Sequence, residues 1–229
     1  MNYGCIPSKA LLFASDILEK TRKGNLYGLA GEPMKPNLPG MMSRKQSVVQ
    51  MLGMGVTSTL KLERVDLLEG RGKIISANVN EYNGEKLTCE YLIIATGSLP
   101  AMLPGVMKSK NIMDNRGLFE LAEAPKDICI VGGGSVGVEF ASFFRAVGTE
   151  VTLIEYTPYL VSYEDEYLGI ELRKIFDRQG IKVMTDTGVT LVKDIGEKVN
   201  VEWKGVKDGA LGKGDIGEAR ARHFVGLAN

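Results

Sequence analysis

The pattern of apolar and polar positions changes near the middle of the chain, and it is clearer in the second half. There, apolar runs of strand length alternate with segments that repeat apolar residues every three or four positions, which is typical of a parallel sheet covered by helices. This alternation predicts the α/β fold class. Strands are predicted at residues 128–131, 150–154 and 181–184, and helices at residues 135–147 and 164–178.

The first half contains a turn that leads into a helix ending at Arg22, followed by a connection rich in glycine and proline at residues 24–42. A second proline- and glycine-rich stretch, at residues 99–105, is the best candidate for a domain boundary. We therefore expect one domain at residues 1–104 and another at 105–229. The other predicted elements are a helix at residues 43–63, strands at 65–68, 73–79 and 87–95, a glycine-dense loop at 205–217 and a short strand at 223–225.

A glycine-rich stretch, Gly-Gly-Gly-Ser-Val-Gly, follows the first strand of the second half and matches the pattern G-x-G-x-x-G. In a dinucleotide-binding fold, Gly132 allows a tight turn, Gly134 lets the backbone approach a pyrophosphate, and Gly137 lets the helix pack closely. The first helical residues, Ser135 and Val136, offer free N–H groups to the phosphates. The alternative is a glycine turn in an α/β domain that binds nothing.

An acidic residue, Glu155, ends the next strand, eighteen positions after Gly137. At this place the dinucleotide fold has a carboxylate that accepts hydrogen bonds from the adenosine ribose. The same carboxylate repels a 2′-phosphate, and residues 156–159 contain no lysine or arginine to hold one. The sequence therefore predicts a preference for NAD(H) over NADP(H).

Composition narrows the classes of partner. The 229 residues include 28 lysines and arginines and 28 aspartates and glutamates, so the net charge is zero. Nucleic acids and anionic membrane surfaces attract an excess of basic charge, and neither partner is predicted. Three separated cysteines and a single histidine, His223, indicate neither a disulfide framework nor a metal site. We expect a cytoplasmic protein with no membrane-spanning helix.

One cysteine, Cys5, precedes a proline and the start of a helix. Such a position favours the thiolate form, because the N-terminus of a helix is electropositive. Lys9, four residues later, is a candidate to stabilise the thiolate or an anionic ligand. The alternatives are that Cys5 is a small buried apolar residue and that Lys9 is a solvated charge.

The segment Gly-Cys-Ile-Pro-Ser-Lys-Ala-Leu-Leu at residues 4–12 resembles the redox-active segment of the pyridine nucleotide–disulphide oxidoreductases, and most closely that of their dihydrolipoyl dehydrogenase branch. Three further stretches resemble the family in the same order along the chain. They are residues 70–72, residues 93–98 with the sequence Ile-Ile-Ala-Thr-Gly-Ser, and residues 130–140 around the glycine fingerprint. The resemblance extends from residue 2 to about residue 203.

This resemblance implies roles for individual residues. Cys5 corresponds to the thiol next to the flavin, Lys9 to the lysine near flavin N5, and Glu139 to the carboxylate that forms a buried pair with this lysine. Val189 corresponds to the residue against the NAD adenine. The other cofactor-binding positions that the resemblance implies are Gly72, Thr96, Gly97, Ser98 and Gly226.

The resemblance also implies a Rossmann-like flavoprotein with a partial FAD-binding domain and an NAD-binding domain. The implied cofactors are FAD and NAD, and the implied reaction is hydride transfer coupled to dithiol–disulfide exchange. The partners would be dihydrolipoamide, or the lipoyl domain of a 2-oxoacid dehydrogenase complex, and a second copy in a homodimer. The alternatives are a glutathione or mercuric reductase, both of which favour NADPH, and a catalytically incomplete NAD-binding fragment.

The chain departs from the family pattern at both ends. The first cysteine of the family's Cys-x-x-x-x-Cys motif would stand immediately before Met1, and the N-terminal flavin motif and the C-terminal interface domain have no counterpart among these residues. The stretch at residues 224–229 matches the family's Val-Gly-Arg-x-Pro-Asn only in part. We therefore expect a fragment that does not turn over dihydrolipoamide alone.

Overall fold

The computed structural model describes residues 2–206 and the backbone of a strand at His223–Gly226. Contacts within the chain divide it into two units, a larger unit of residues 1–50 and 100–229 and a smaller unit of residues 51–99. The predicted division into a flavin-binding domain at 1–104 and an NAD-binding domain at 105–229 depends on which cofactor each part binds, and it stays a prediction.

The elements follow the order expected for an α/β fold, with an antiparallel insertion. The helices are α1 (Cys5–Arg22), α2 (Leu38–Leu62), α3 (Asn115–Leu118), α4 (Ser135–Ala146) and α5 (Glu166–Gln179), with a 3₁₀ turn at Gly24–Tyr27. The strands are β1 (Gly72–Ser76), β2 (Val79–Tyr82), β3 (Glu85–Thr88), β4 (Ile112–Met113), β5 (Asp127–Val131), β6 (Glu150–Ile154), β7 (Lys182–Met184), β8 (Thr187–Asp194), β9 (Val199–Gly205) and β10 (His223–Gly226).

The larger unit is built on a five-stranded parallel sheet with the strand order β4-β10-β5-β6-β7. Helix α4 connects β5 to β6, and α5 connects β6 to β7, so each crossover contains one helix. In the register of β5 with β6, Val131 lies opposite Ile154. The parallel sheet and the alternation of strand and helix confirm the predicted fold class.

The two faces of the parallel sheet contact different layers. Side chains alternate along β5, where Ile128 and Ile130 belong to one apolar cluster while Cys129 and Val131 belong to the other. The first cluster also contains apolar residues of α1, α4 and α5. The second contains residues of the β8–β9 hairpin. Because both faces are covered, the strands are almost continuously apolar, and this made them predictable.

Helix α1 packs against α4 on the first face. Leu11 and Leu18 of α1 are buried in the same cluster as Phe143 of α4. Burial of each such leucine contributes roughly 1.5–3 kcal/mol. At the end of the contact, Arg22 donates a hydrogen bond of 2.7 Å to the carbonyl oxygen of Ala146, at the C-terminus of α4. This packing fixes the N-terminal segment on the helical face of the parallel sheet.

A polar cluster joins the β8–β9 hairpin to the start of β4. Asp194, at the end of β8, accepts hydrogen bonds from the side chains of Ser109 and Asn111. The buried Asn111 amide also donates to the carbonyl oxygen of Gly196 at 2.7 Å. These bonds hold the hairpin against the second face of the sheet.

The smaller unit contains an antiparallel meander of β1, β2 and β3. None of residues 51–99 is buried, and Ile93 is 87% exposed. The strand predicted at residues 65–68 is absent, and the strand predicted at 87–95 is present only at 87–88, as the end of β3, because no described segment pairs with the remaining apolar residues. An apolar run becomes a strand only where a neighbouring strand supplies hydrogen-bond partners.

Several predicted boundaries shift by a few residues. Helix α2 begins at Leu38 rather than at 43, and α5 begins at Glu166 rather than at 164, where Asp165 caps it by accepting a hydrogen bond from the Tyr167 amide. The strand predicted at 223–225 is present as β10. The glycine-dense loop predicted at 205–217 lies outside the described residues after Val206. Within the described part of the chain, no helix has the length and apolar character needed to span a membrane.

A buried aspartate, Asp114, caps the short helix α3. Its carboxylate accepts hydrogen bonds from the amides of Arg116 and Gly117 and pairs with Lys108. Burial by itself raises the pKa of Asp114, but the hydrogen bonds from Lys108 and the Gly117 amide outweigh it, and the pKa is lowered overall. A lowered pKa in the folded state means that the ionised form stabilises the fold.

We expect replacement of Asp114 by alanine to destabilise the protein by about 1–3 kcal/mol at neutral pH, because it removes a helix cap and leaves donors unpaired. The stabilisation by Asp114 is present above the unfolded pKa of about 3.9 and is lost as the pH falls below that value. Urea unfolding at pH 7 and at about pH 3 checks this expectation. A difference between the two proteins that stays constant with pH contradicts it.

Candidate functional site

The glycine-rich loop lies at the carboxyl end of the parallel sheet. It follows β5 directly, and Gly226 at the end of β10 lies opposite Val131, the last residue of β5. Glu155 follows β6 on the other side. In open parallel sheets, ligands bind outside the carboxyl ends of the strands. Three predicted features therefore meet at one edge of the sheet.

The loop has the conformation that the glycines predict. Gly132 has φ of +108°, in the left-handed region that favours glycine. Gly134 has an extended backbone and is the N-cap of α4, and no side chain caps this helix. The first-turn amides, including those of the exposed Ser135 and Val136, are therefore open to an anion.

Two glycines of the loop are closely packed, and Gly137 is the one that meets backbone. A Cβ atom at Gly137 would lie 1.8 Å from the carbonyl oxygen of Gly132, so the helix can approach the turn only without a side chain. A Cβ atom at Gly133 would lie 2.7 Å from Leu160 and 3.1 Å from Glu155. The fingerprint leaves position 133 free, so the role of Gly133 was missed. The run of three consecutive glycines was its only signal.

The carboxylate of Glu155 is held beside the loop by three donors. It is 9% exposed, and its Oε2 accepts a hydrogen bond from the Gly133 amide. Its Oε1 accepts hydrogen bonds of 2.7 Å from both the amide and the hydroxyl of Thr157. The structure thus places Glu155 at the glycine loop, as predicted. It also adds Thr157, a short polar residue two positions later that the sequence analysis did not single out.

The segment after Glu155 covers the loop. The Val161 amide donates a hydrogen bond of 2.8 Å to the Gly133 carbonyl oxygen, and Leu160 is buried against the loop. Val161 itself has φ of +47°, which is uncommon for a β-branched residue. This hydrogen bond and this contact help to fix the path of the glycine loop.

Val189 lies on the hairpin side of this edge. It is half-buried on β8, opposite Trp203 of β9, and packs against the cluster that contains Val131 and Ile154. Two residues earlier, the Thr187 amide donates a hydrogen bond of 3.0 Å to the backbone carbonyl of Glu155. The hairpin therefore ties Val189 to the strand that carries the acidic residue.

Lys9 of α1 and Glu139 of α4 form an ion pair, although 130 positions separate them. The expectation that the two side chains lie together is confirmed. The expectation of a buried pair is wrong, because the side chains are 61% and 25% exposed. An exposed pair of this kind contributes about 0–1 kcal/mol to stability, so it is not what holds α1 on α4.

Cys5 is exposed at the first turn of α1, so the alternative of a buried apolar residue is wrong. The carbonyl of Tyr3 accepts a hydrogen bond of 2.8 Å from Asn115, which fixes the chain before Cys5 on α3. Cys129 is buried, and burial raises its pKa to about 12. Cys89 lies in the smaller unit. Of these three thiols, only Cys5 is exposed.

The remaining predicted flavin-contacting residues lie in the smaller unit. Gly72 begins β1, opposite Tyr82, and is exposed. Thr96, Gly97 and Ser98 are exposed in an irregular segment, where Gly97 has φ of +78°. Among the residues that the structure describes, no group of three histidine, cysteine or acidic side chains is placed to hold a metal ion.

Comparison with known proteins gives a family match over most of the chain. The model of the family "Pyridine nucleotide-disulphide oxidoreductase" matches residues 1–214. Similar curated proteins include the dihydrolipoyl dehydrogenases of Chlamydia trachomatis, which is 32% identical over 211 residues, and of Thermus scotoductus, which is 35% identical over 188 residues. These alignments cover 90% and 82% of the chain, but 45% and 41% of the two relatives. The chain thus spans less than half the length of these relatives.

Solved structures support the fold. The flavoprotein disulfide reductase RclA of Escherichia coli has a TM-score of 0.73 at 22% identity, with 98% of the chain and 46% of RclA covered. LpdA of Mycobacterium tuberculosis has a TM-score of 0.74 at 23% identity, with 87% of the chain and 45% of LpdA covered. At this level of identity the likeness concerns the fold alone.

We expect replacement of Gly137 by alanine to destabilise the protein by about 3 kcal/mol, because the added methyl group overlaps the Gly132 carbonyl. Gly55, inside α2, has no atom near the position of its missing Cβ. Its replacement by alanine serves as the matched control, and we expect it to be neutral or stabilising by up to about 1 kcal/mol. Urea unfolding measures both changes. Equal unfolding midpoints for the two variants would show that the close approach at Gly137 is not required.

Proposed function

The chain belongs to the pyridine nucleotide–disulphide oxidoreductase family, and we propose that it supplies the NAD(H) site and one redox sulfur of a dihydrolipoyl dehydrogenase. The observation that carries the first part of this proposal is the Glu155 carboxylate held against the glycine loop. The second part rests on the similarity to relatives of that name. Because the chain covers less than half of these relatives, the activity of a whole enzyme is a proposal for this chain.

In this proposal each predicted residue contacts a different part of NAD(H). The amides of the first turn of α4 bind the pyrophosphate, and the space left by Gly137 lets the turn approach it. Glu155 accepts hydrogen bonds from the ribose hydroxyls, and Val189 contacts the adenine. Gly226, at the end of β10, adds backbone to the same edge of the sheet. The residues present fit a dinucleotide.

Selectivity follows from the charge of Glu155. A 2′-phosphate at this place brings two anions into contact in a partly buried site, which is unfavourable by a few kcal/mol, on the order of 2–4 at an effective dielectric constant near 20. The ribose hydroxyls of NAD(H) instead donate hydrogen bonds to the carboxylate. This preference supports a dihydrolipoyl dehydrogenase over the NADPH-dependent reductases of the same family.

FAD is the second cofactor of this family and the one that links nicotinamide oxidation to a disulfide. The proposed flavin contacts are those that the family resemblance implies: Lys9, Glu139, Gly72 and residues 96–98. The support for this part of the proposal is the resemblance of these segments to the family. Lys9 would hold positive charge near the flavin, with Glu139 orienting its ammonium group.

Cys5 is the proposed redox sulfur. Disulfide exchange requires an attacking thiolate, a second sulfur and a group that moves protons. Cys5 is exposed and can act as the thiolate, whereas burial and its raised pKa make Cys129 inert. The proposed substrate is dihydrolipoamide or a lipoyl domain of a 2-oxoacid dehydrogenase complex, and the proposed state of the enzyme is a cytoplasmic homodimer.

A second candidate function is NAD(H) binding without flavin chemistry. The observation that favours it is the contrast between the two units, because the larger unit has a packed core while none of residues 51–99 is buried. Purification distinguishes the two candidates. A yellow protein with bound flavin supports the oxidoreductase, and a colourless protein that binds NADH supports the second candidate.

We expect the purified chain to bind NADH at least tenfold more tightly than NADPH, on the order of 1.4 kcal/mol or more. Replacement of Glu155 by alanine removes both the ribose contacts and the repulsion of a 2′-phosphate. NADH binding therefore weakens, and the difference in affinity between NADH and NADPH narrows. Fluorescence titration of both nucleotides measures this. Equal or tighter binding of NADPH by the unmodified chain is incompatible with the proposed role of Glu155.

We also expect that the 229-residue chain, assayed alone, binds NADH but does not reduce lipoamide. Its sequence contains three cysteines, and neither Cys89 nor Cys129 has the sequence spacing of a redox partner for Cys5. An NADH-dependent lipoamide assay of the chain and of its Cys5→Ser variant checks this. Activity of the chain that the Cys5→Ser variant lacks would show that another group completes the exchange.

A further inference from the structure

The hydrogen bonds around Glu155 point to a feature that its charge alone does not explain. Three donors converge on this one carboxylate: the Gly133 amide, the Thr157 amide and the Thr157 hydroxyl. We call these three groups the donor nest. A set of convergent backbone and hydroxyl donors binds anions in general, and here the anion is part of the protein.

The backbone of the donor nest is held by bonds that do not involve the Glu155 side chain. The Gly133 carbonyl accepts a hydrogen bond of 2.8 Å from the Val161 amide, and the Thr157 carbonyl accepts one of 3.0 Å from the Asp186 amide. Gly133 is also packed against Leu160. The two amides therefore keep their positions when the carboxylate is removed, and the nest is then left without an acceptor.

The Thr157 hydroxyl has a second acceptor within reach. It lies 2.7 Å from Glu155 Oε1 and 2.9 Å from the carbonyl oxygen of Tyr159. A hydroxyl donates one hydrogen, so it can serve either acceptor. Thr157 can thus turn toward whichever anion occupies the nest without being left unpaired when none does.

We propose that Thr157 is a specificity-determining residue of the dinucleotide site, because its two donors complete a nest that Glu155 fills and that a 2′-phosphate would otherwise occupy. Selectivity for NAD(H) then comes from an internal anion in a phosphate-binding nest, and not from a lack of phosphate-binding groups. This inference rests on the proposed NAD(H) site. It predicts that removal of the Glu155 carboxylate does more than abolish the preference for NAD(H): the emptied nest then binds a 2′-phosphate.

The test uses adenosine 2′,5′-bisphosphate and adenosine 5′-monophosphate as probes, which differ only in the 2′-phosphate. We expect Glu155→Ala to bind the bisphosphate about tenfold more tightly than the unmodified chain, the size of a strong charge-assisted hydrogen bond. Adding Thr157→Val removes the hydroxyl and keeps the amide. The double variant should bind the bisphosphate about threefold more weakly than Glu155→Ala alone. Glu155→Ala and the double variant should bind the monophosphate with the same affinity.

A matched control is Thr149→Val in the Glu155→Ala background. The Thr149 hydroxyl is also buried and donates to a carbonyl oxygen, that of Pro125 at 2.8 Å, but it precedes β6 at the opposite edge of the sheet. We expect this substitution to leave bisphosphate binding unchanged. An equal loss at positions 149 and 157 would mean that Thr157 acts only through stability, and would overturn the proposal.

The proposal also fails if Glu155→Ala gives no gain for the bisphosphate over the monophosphate. Should Glu155→Ala not fold, Glu155→Ser provides the same comparison with a smaller change in polarity. Failure of the proposed function has a different signature, since the unmodified chain would then not bind NADH. In that case inorganic phosphate tests the nest directly, because it should raise the melting temperature of Glu155→Ala more than that of Glu155→Ala with Thr157→Val.

Discussion

The close approach of α4 to the turn after β5 is the constraint on which the rest of the site depends. Gly137 lies so near the Gly132 carbonyl that no side chain fits between helix and turn. This contact brings the first amides of α4 to the edge of the sheet, and the Gly133 amide meets the Glu155 carboxylate there. A wider turn would separate the helix N-terminus from the acidic residue, and the two halves of the proposed dinucleotide site would no longer lie together.

Much of the larger unit could be predicted because its signals are local. Strands buried on both faces read as apolar runs, and the fingerprint and Glu155 stand at fixed places in that pattern. Thr157 and Leu160 could not be recognised in this way. The role of Thr157 depends on the path of the chain after β6, and that of Leu160 on contact with Gly133, more than twenty residues earlier. The fingerprint gave the location of the site but not the hydrogen bonds that shape it.

In the smaller unit, the strands predicted at 73–79 and 87–95 are present only in part and the strand predicted at 65–68 is absent. The run at residues 91–95 is apolar enough for a strand, yet Ile93 is exposed and no described segment pairs with it. Local sequence indicates that a segment can form a strand, but pairing decides whether it does. The contact of Lys9 with Glu139 was found only through family resemblance, since no local pattern connects positions 130 residues apart.

A residue-resolved NADH titration of the ¹⁵N-labelled chain, followed by the shifts of backbone amide resonances, tests the central claim most directly. The account predicts saturable shifts at Gly133, at residues 134–137 and at Thr157, with a smaller shift at Val189. The resonances of amides at the opposite edge of the sheet, such as that of Thr149, should not shift. If NADH binds while the amide resonances of residues 132–137 and Thr157 do not shift, the account is contradicted.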